Sequence, residues 1–218
     1  RRYLDFYAGQ PTRLYTPMAD VGIVTSTPML WVEVLDLLTR HNLSFTVVEP
    51  SQIAAQTGGP LETLVVLDQP DAAQAKLLAA YERAGGSVIL ALPSPAEKGP
   101  HAVDLQARVI ERGADPNRFA LALRRLLGPE RRVLDIWNGI TVLATPYAAP
   151  GEEAVLVTLV NYAYQPLPVQ LRVRGTFARV QYESPEEPAM LLPHEHRDGR
   201  TEFVVPAVRV GGRIFLSH

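Results

Sequence analysis

Cysteine is absent from the chain, which excludes disulfides, thiolate metal sites and a cysteine nucleophile but leaves the redox compartment open. Neither charge is in excess. Lys and Arg number 21 against 23 Asp and Glu, a formal net charge of −2 with no block of one sign. Nucleic acid and anionic membrane surfaces need a basic face, so neither is expected as a partner. No apolar run approaches the ~20 residues that span a bilayer. The opening Arg1-Arg2-Tyr3-Leu4 carries neither Met nor an apolar h-region; no signal peptide is expected, the start reads as interior to something longer, and localisation stays open. Internal repeats and low-complexity stretches are missing too.

The motifs that announce common chemistries are also absent. No G-x-G-x-x-G follows the first apolar run and no G-x-x-x-x-G-K-[ST] occurs, so neither dinucleotide nor P-loop phosphate chemistry is supported and no cofactor is expected. The G-x-S-x-G elbow is missing, and an amidotransferase nucleophile would be a Cys. Ala84-Gly85-Gly86-Ser87 precedes a strand-like run instead of following one, and reads as a helix stop and turn.

What is present is globular. The 218 residues are 47% hydrophobic and 20% charged, enough for one large core or two modest ones. From Asp20 to Leu127, short apolar runs alternate with amphipathic stretches of helix length. Strands are expected at Val21-Gly22-Ile23-Val24, Phe45-Thr46-Val47-Val48, 63–67 and 87–91, with a weaker fifth at 108–110. Pro28 suits a helix first turn, and Leu30, Val34, Leu35, Leu37 and Leu38 mark an apolar face ending near Asn42. Asp71 is placed to cap a helix that Gly85-Gly86 stops, and a final helix is expected over 116–127. This order predicts right-handed crossovers and a parallel sheet covered on both faces.

The pattern changes at Gly128-Pro129-Glu130-Arg131-Arg132. Beyond it, strands expected at 140–147, 154–161, 169–174, 177–183, 202–205 and 213–216 are separated by Gly151, Pro166, Gly175, Pro185, Asp198-Gly199 and Gly211-Gly212. Such spacing predicts an antiparallel sandwich or small barrel. The expected organisation is a linker-like segment 1–19, an α/β domain 20–129 and an all-β domain 130–218.

Ligands of an open parallel sheet sit beyond the carboxyl ends of its strands. Thr25, Ser26 and Thr27 follow the first strand, Glu49 the second and Asp68-Gln69 the third. Thr25, Ser26 and Asp68 are therefore the candidate ligand-binding residues, although hydroxyls ahead of a helix serve equally as N-caps. His194-Glu195-His196 is the one dense set of metal-ligand types. On a strand both imidazoles would share a side, but Pro193 and Asp198-Gly199 favour a solvated hairpin loop, and no metal is expected. His41, His101 and His218 lie at a helix end, in a Pro/Gly-rich loop and at the terminus, without an evident partner. Asp135, Glu183, Glu186 and Glu187 are the carboxylates that a glycoside-cleaving pair would draw on, and Trp137, Tyr162 and Tyr164 the rings that could stack on sugars. Solvated acids and core aromatics are the commoner uses of both sets.

Taken in order, Ala19-Asp20-Val21-Gly22-Ile23-Val24, Val47-Val48-Glu49, Leu64-Val65-Val66-Leu67 and Tyr81-Glu82-Arg83-Ala84-Gly85-Gly86-Ser87-Val88-Ile89-Leu90 resemble one known module. It is the flavodoxin-like, class I amidotransferase-like domain that follows the catalytic barrel in bacterial β-galactosidases. Trp137-Asn138-Gly139, Leu159-Val160-Asn161-Tyr162-Ala163 and Glu202-Phe203-Val204-Val205-Pro206 resemble the small β domain that closes such enzymes. The resemblance covers the chain from Asp20 onward and is poorly specific for a substrate. It implies a trimerisation role without the amidotransferase Cys. The catalytic carboxylates of those enzymes lie on a barrel, which alone needs ~250 residues, so no catalytic residue carries over. The expected function is a non-catalytic accessory or oligomerisation module of a glycoside hydrolase-like protein, its partners being copies of itself or a catalytic barrel. The alternatives are a carbohydrate-binding module using the β domain, and a small ligand-binding or hydrolytic α/β protein using the loops at Ser26 and Asp68.

Overall fold

A computed structural model describes residues 1–8, 15–91, 117–149 and 153–218. The strand expected at 108–110, His101, Gly151 and the first residue of the helix expected at 116 lie outside the described residues. The chain divides into two compact units, one formed by Arg1–Met18 with Val133–His218 and the other by Ala19–Arg132. Helix α1 (Arg2–Ala8) and the short strand β1 (Thr16–Pro17) open the first unit.

The unit Ala19–Arg132 is built on four parallel strands, β2 (Val21–Val24), β3 (Phe45–Val48), β4 (Thr63–Val66) and β5 (Ser87–Leu90), in the order β3-β2-β4-β5. β2 and β4 are buried along their whole length, as apolar runs in a two-faced sheet must be. Alternation sends Ile23, Val65 and Ile89 to one face and Val24, Leu64, Val66 and Val88 to the other. The first face packs against α2 (Val32–Arg40) and α4 (Arg118–Leu127) through Val34, Leu38, Phe119, Leu123 and Leu127. The second packs against α3 (Ala72–Arg83) and a 3₁₀ turn at Pro50–Gln56 through Leu78, Tyr81 and Ile53. The Asp71 carboxylate accepts the amides of Ala73 and Gln74 at 2.8 Å, which caps α3. Gly85, with φ +96°, follows the end of α3.

The expected first helix is divided. Pro28–Trp31 forms a 3₁₀ turn ahead of α2. Its tighter winding rotates Leu30 out of the apolar stripe, and Leu30 is exposed while Trp31 is buried.

The other unit is all-antiparallel beyond α1. Its strands are β6 (Leu134–Trp137), β7 (Val142–Ala148), β8 (Val155–Asn161), β9 (Leu167–Arg174), β10 (Arg179–Glu183), β11 (Met190–Leu191), β12 (His194–Arg197), β13 (Arg200–Val208) and β14 (Gly211–Ser217). They form a six-stranded sheet, β1-β7-β8-β14-β10-β11, and a four-stranded sheet, β12-β13-β9-β6. One core receives the inward residues of both: Val142, Val157, Leu159, Ile214 and Leu216 from the larger, Ile136, Leu171, Val173, Phe203 and Val205 from the smaller.

Described residues of the N-terminal segment meet the β unit: Thr16 pairs with Ala148, the Met18 amide donates to the Pro146 carbonyl at 2.9 Å, and the Arg213 guanidinium lies 4.4 Å from the Phe6 ring centre. The pairing partner is more than a hundred residues away in sequence, beyond the reach of local composition. One expectation is corrected here: His194-Glu195-His196 is a strand, not a loop. Asp198 and Gly199, with φ of 52° and 70°, make the two-residue reversal that pairs β12 with β13.

Candidate functional site

The ends of β2 and β4 are adjacent, and there the structure brings Thr25, Ser26 and Asp68 together. One Asp68 oxygen accepts the Thr25 hydroxyl at 2.8 Å, the Ser26 amide at 3.0 Å and the Ser26 hydroxyl at 3.4 Å. The other accepts the indole N–H of Trp31 at 2.9 Å. Thr25 in turn accepts the Thr27 amide at 3.0 Å. Burial pushes the Asp68 carboxyl up, but the donors from Thr25, Ser26 and Trp31 outweigh it and hold the group below its ordinary value. The polar groups proposed for a ligand therefore already face a carboxylate of the chain itself. An anion arriving there would meet the Asp68 charge, and any ligand would have to displace these bonds. Trp31 was not foreseen: its ring is core, and its N–H finds an acceptor in Asp68 beyond the end of β4. Glu49 is exposed beyond β3, directly ahead of the 3₁₀ turn.

The other residues singled out are distributed through the fold. On β12 the His194 and His196 ring centres are 5.4 Å apart, but each ring is tied to a carbonyl: His194 Nδ1 donates to Leu192 at 3.2 Å and His196 Nε2 to Phe177 at 2.9 Å. No group of three or more His, Cys, Asp or Glu suited to a metal occurs among the described residues. Three of the four carboxylates face arginines: Asp135 lies 3.7 Å from Arg200, Glu187 3.8 Å from Arg209, and Glu183 pairs with Arg213. His41 contacts Asn117 at 2.9 Å, and His218 lies 3.7 Å from Glu153.

Tyr162 and Tyr164 are both exposed, on the loop after β8. That loop is fixed by buried Asn161. Its amide nitrogen lies 3.0, 2.8 and 3.0 Å from the carbonyls of Gln165, Val208 and Arg209, and its oxygen accepts Thr141 and Ala163. Trp137 is on the outer face of the smaller sheet, with the Arg172 guanidinium 5.1 Å from its ring centre and Gln170 opposite it in register.

A cleft of about 610 Å³ opens beside β13. Its walls come from Met190–Glu195 on one side and from Gln170, Glu202, Val204 and Pro206 on the other. Nothing in the sequence announced it, because it arises where β12 stops pairing with β13.

No protein-family model matches the chain, and no curated protein does. Solved structures share its fold. Alpha-L-fucosidase isoenzyme 2 from Paenibacillus thiaminolyticus matches 99% of this chain at 12% identity with a TM-score of 0.72. A rhamnosidase from Novosphingobium sp. PP1Y matches 92% at 15% identity with a TM-score of 0.61. Identities this low speak for the fold alone. The chain spans 50% of the fucosidase and 22% of the rhamnosidase.

Proposed function

We propose that this chain is an accessory, assembly-forming part of a glycoside hydrolase-like protein. The observation that carries the reading is a fold found within two glycoside hydrolase chains, joined to candidate sites that internal partners already fill. The finer reading, a flavodoxin-like domain paired with a small β domain as at the end of β-galactosidases, draws support from the strand order β3-β2-β4-β5. With the strands counted from β2, that is 2-1-3-4, in keeping with a flavodoxin-like arrangement.

Assembly needs an apolar surface, and one lies beside the Asp68 cluster. Met29, Leu30 and Val32 are 81%, 67% and 49% exposed within five residues of one another. Their partner is taken to be a second copy of the chain. Light scattering over a concentration series tests this. A dimer or trimer at low micromolar concentration, reduced to monomer by Met29→Glu with Leu30→Glu, is expected. A strict monomer overturns the assembly reading.

A further inference from the structure

We infer that the cleft beside β13 binds an uncharged, hydroxyl-rich ligand, with neutral oligosaccharides as the class it fits. The cleft is built into the local sequence. The ladder between β12 and β13 ends at the pair His194 and Phe203, and the next residue outward is Pro193, which has no N–H to continue it. The chain then leaves for the other sheet, where Met190 and Leu191 pair with β10. Further along β13, Pro206 lies within a register shift between Val205 and Val208 in the ladder to β9. The cleft here measures about 610 Å³, within the usual range for small-ligand sites.

Its lining decides the chemistry. Gln170, His194, Glu195 and Glu202 supply the polar groups, and no Lys or Arg is among the described lining residues. Glu202 is neutralised by Arg172 beside it. A carbonyl can only accept, so His194 Nδ1 carries the proton of its bond to Leu192, which in the neutral ring makes Nε2 an acceptor. The cleft is thus rich in acceptors, with the Gln170 amide contributing both donor and acceptor. Anions meet carboxylates, and the guanidinium beside the cleft, Arg172, is already paired with Glu202. A cation finds one exposed carboxylate, Glu195, which water screens. Hydroxyl groups match this set best. Leu191 and Val204, 64% and 48% exposed, flank the polar groups with apolar surface suited to the C–H face of a sugar ring.

This inference is independent of assembly, and so is its test. The full chain is titrated calorimetrically with cellotetraose, xylotetraose, mannotetraose and galactotetraose, with spermidine and citrate as charged controls. At least one tetrasaccharide is expected to bind in the millimolar to micromolar range. Gln170→Ala and Glu195→Ala, both at solvent-accessible positions and checked for folding by circular dichroism, should each weaken it about tenfold. Tyr164→Ala should leave it unchanged. Binding of none of the four, binding that survives both cleft substitutions, binding lost with Tyr164→Ala, or a preference for spermidine would each overturn the inference.

Discussion

Donors from Thr25, Ser26 and Trp31 converge on the Asp68 carboxylate and join two strand ends to the turn that enters α2. Replacing Asp68 by Ala leaves the buried indole N–H and the Thr25 hydroxyl without their acceptor, at a cost of about 1–3 kcal/mol, measurable as a lower urea midpoint. The pH dependence has a definite sign. Because the folded carboxyl titrates below its unfolded value, its contribution is present above the ordinary carboxylate range and fades as the pH falls through the depressed value. Asp68→Asn should flatten this part of the stability curve between neutral and strongly acidic pH. An unchanged slope would show that the carboxylate charge is idle. Asn161 performs the same task in the β unit. Asn161→Ala removes the donor to the carbonyls of Gln165, Val208 and Arg209 and should cost on the order of 2–3 kcal/mol, with faster amide exchange in the loops it joins. Thr25, Ser26 and Asp68 were legible as neighbours because strand ends in a parallel sheet converge. That Asp68 itself would occupy the donors was not legible, since the choice between a ligand and an internal partner depends on side-chain directions.

At the scale of elements, strongly patterned segments were read well and weakly patterned ones were not. The four parallel strands appear where continuous apolar runs place them, because burial on both faces leaves no room for polar residues. Gly22 has a role that periodicity does not express. A Cβ there would lie 2.7 Å from Leu64 Cδ2, 2.9 Å from Leu61 Cδ1 and 3.0 Å from Val48 Cγ2. Gly22→Ala should therefore destabilise the parallel sheet by about 1–3 kcal/mol, read as a lowered unfolding midpoint. β12 lacks an apolar alternation, being His-Glu-His-Arg at a sheet edge, and only pairing with β13 makes it a strand. Leu30 marks the opposite error. Its spacing fits the stripe, but the 3₁₀ turn changes the angle at which it points.

At the scale of the whole molecule, the sheet containing β7 depends on residues far from it in sequence. Deleting residues 1–18 removes the β1–β7 pairing and the Phe6 contact with Arg213. The expected result is faster hydrogen exchange along β7 and β8 with unchanged protection in β2 and β4. Equal exchange in the deleted and full-length chains would mark that segment as a linker. Local sequence was enough for the succession of an α/β half and a β-rich half, the cap of α3 and the central strands. Each follows from local physics: apolar periodicity, side-chain capping and turn chemistry act within a few residues. Tertiary structure alone decided that the N-terminal segment joins the β unit, that Asp68 closes its own candidate site, and that a cleft opens where β12 ends. Those outcomes depend on which distant groups meet, and a hydrogen bond or a ladder pair has no trace in the chain until both partners are in place.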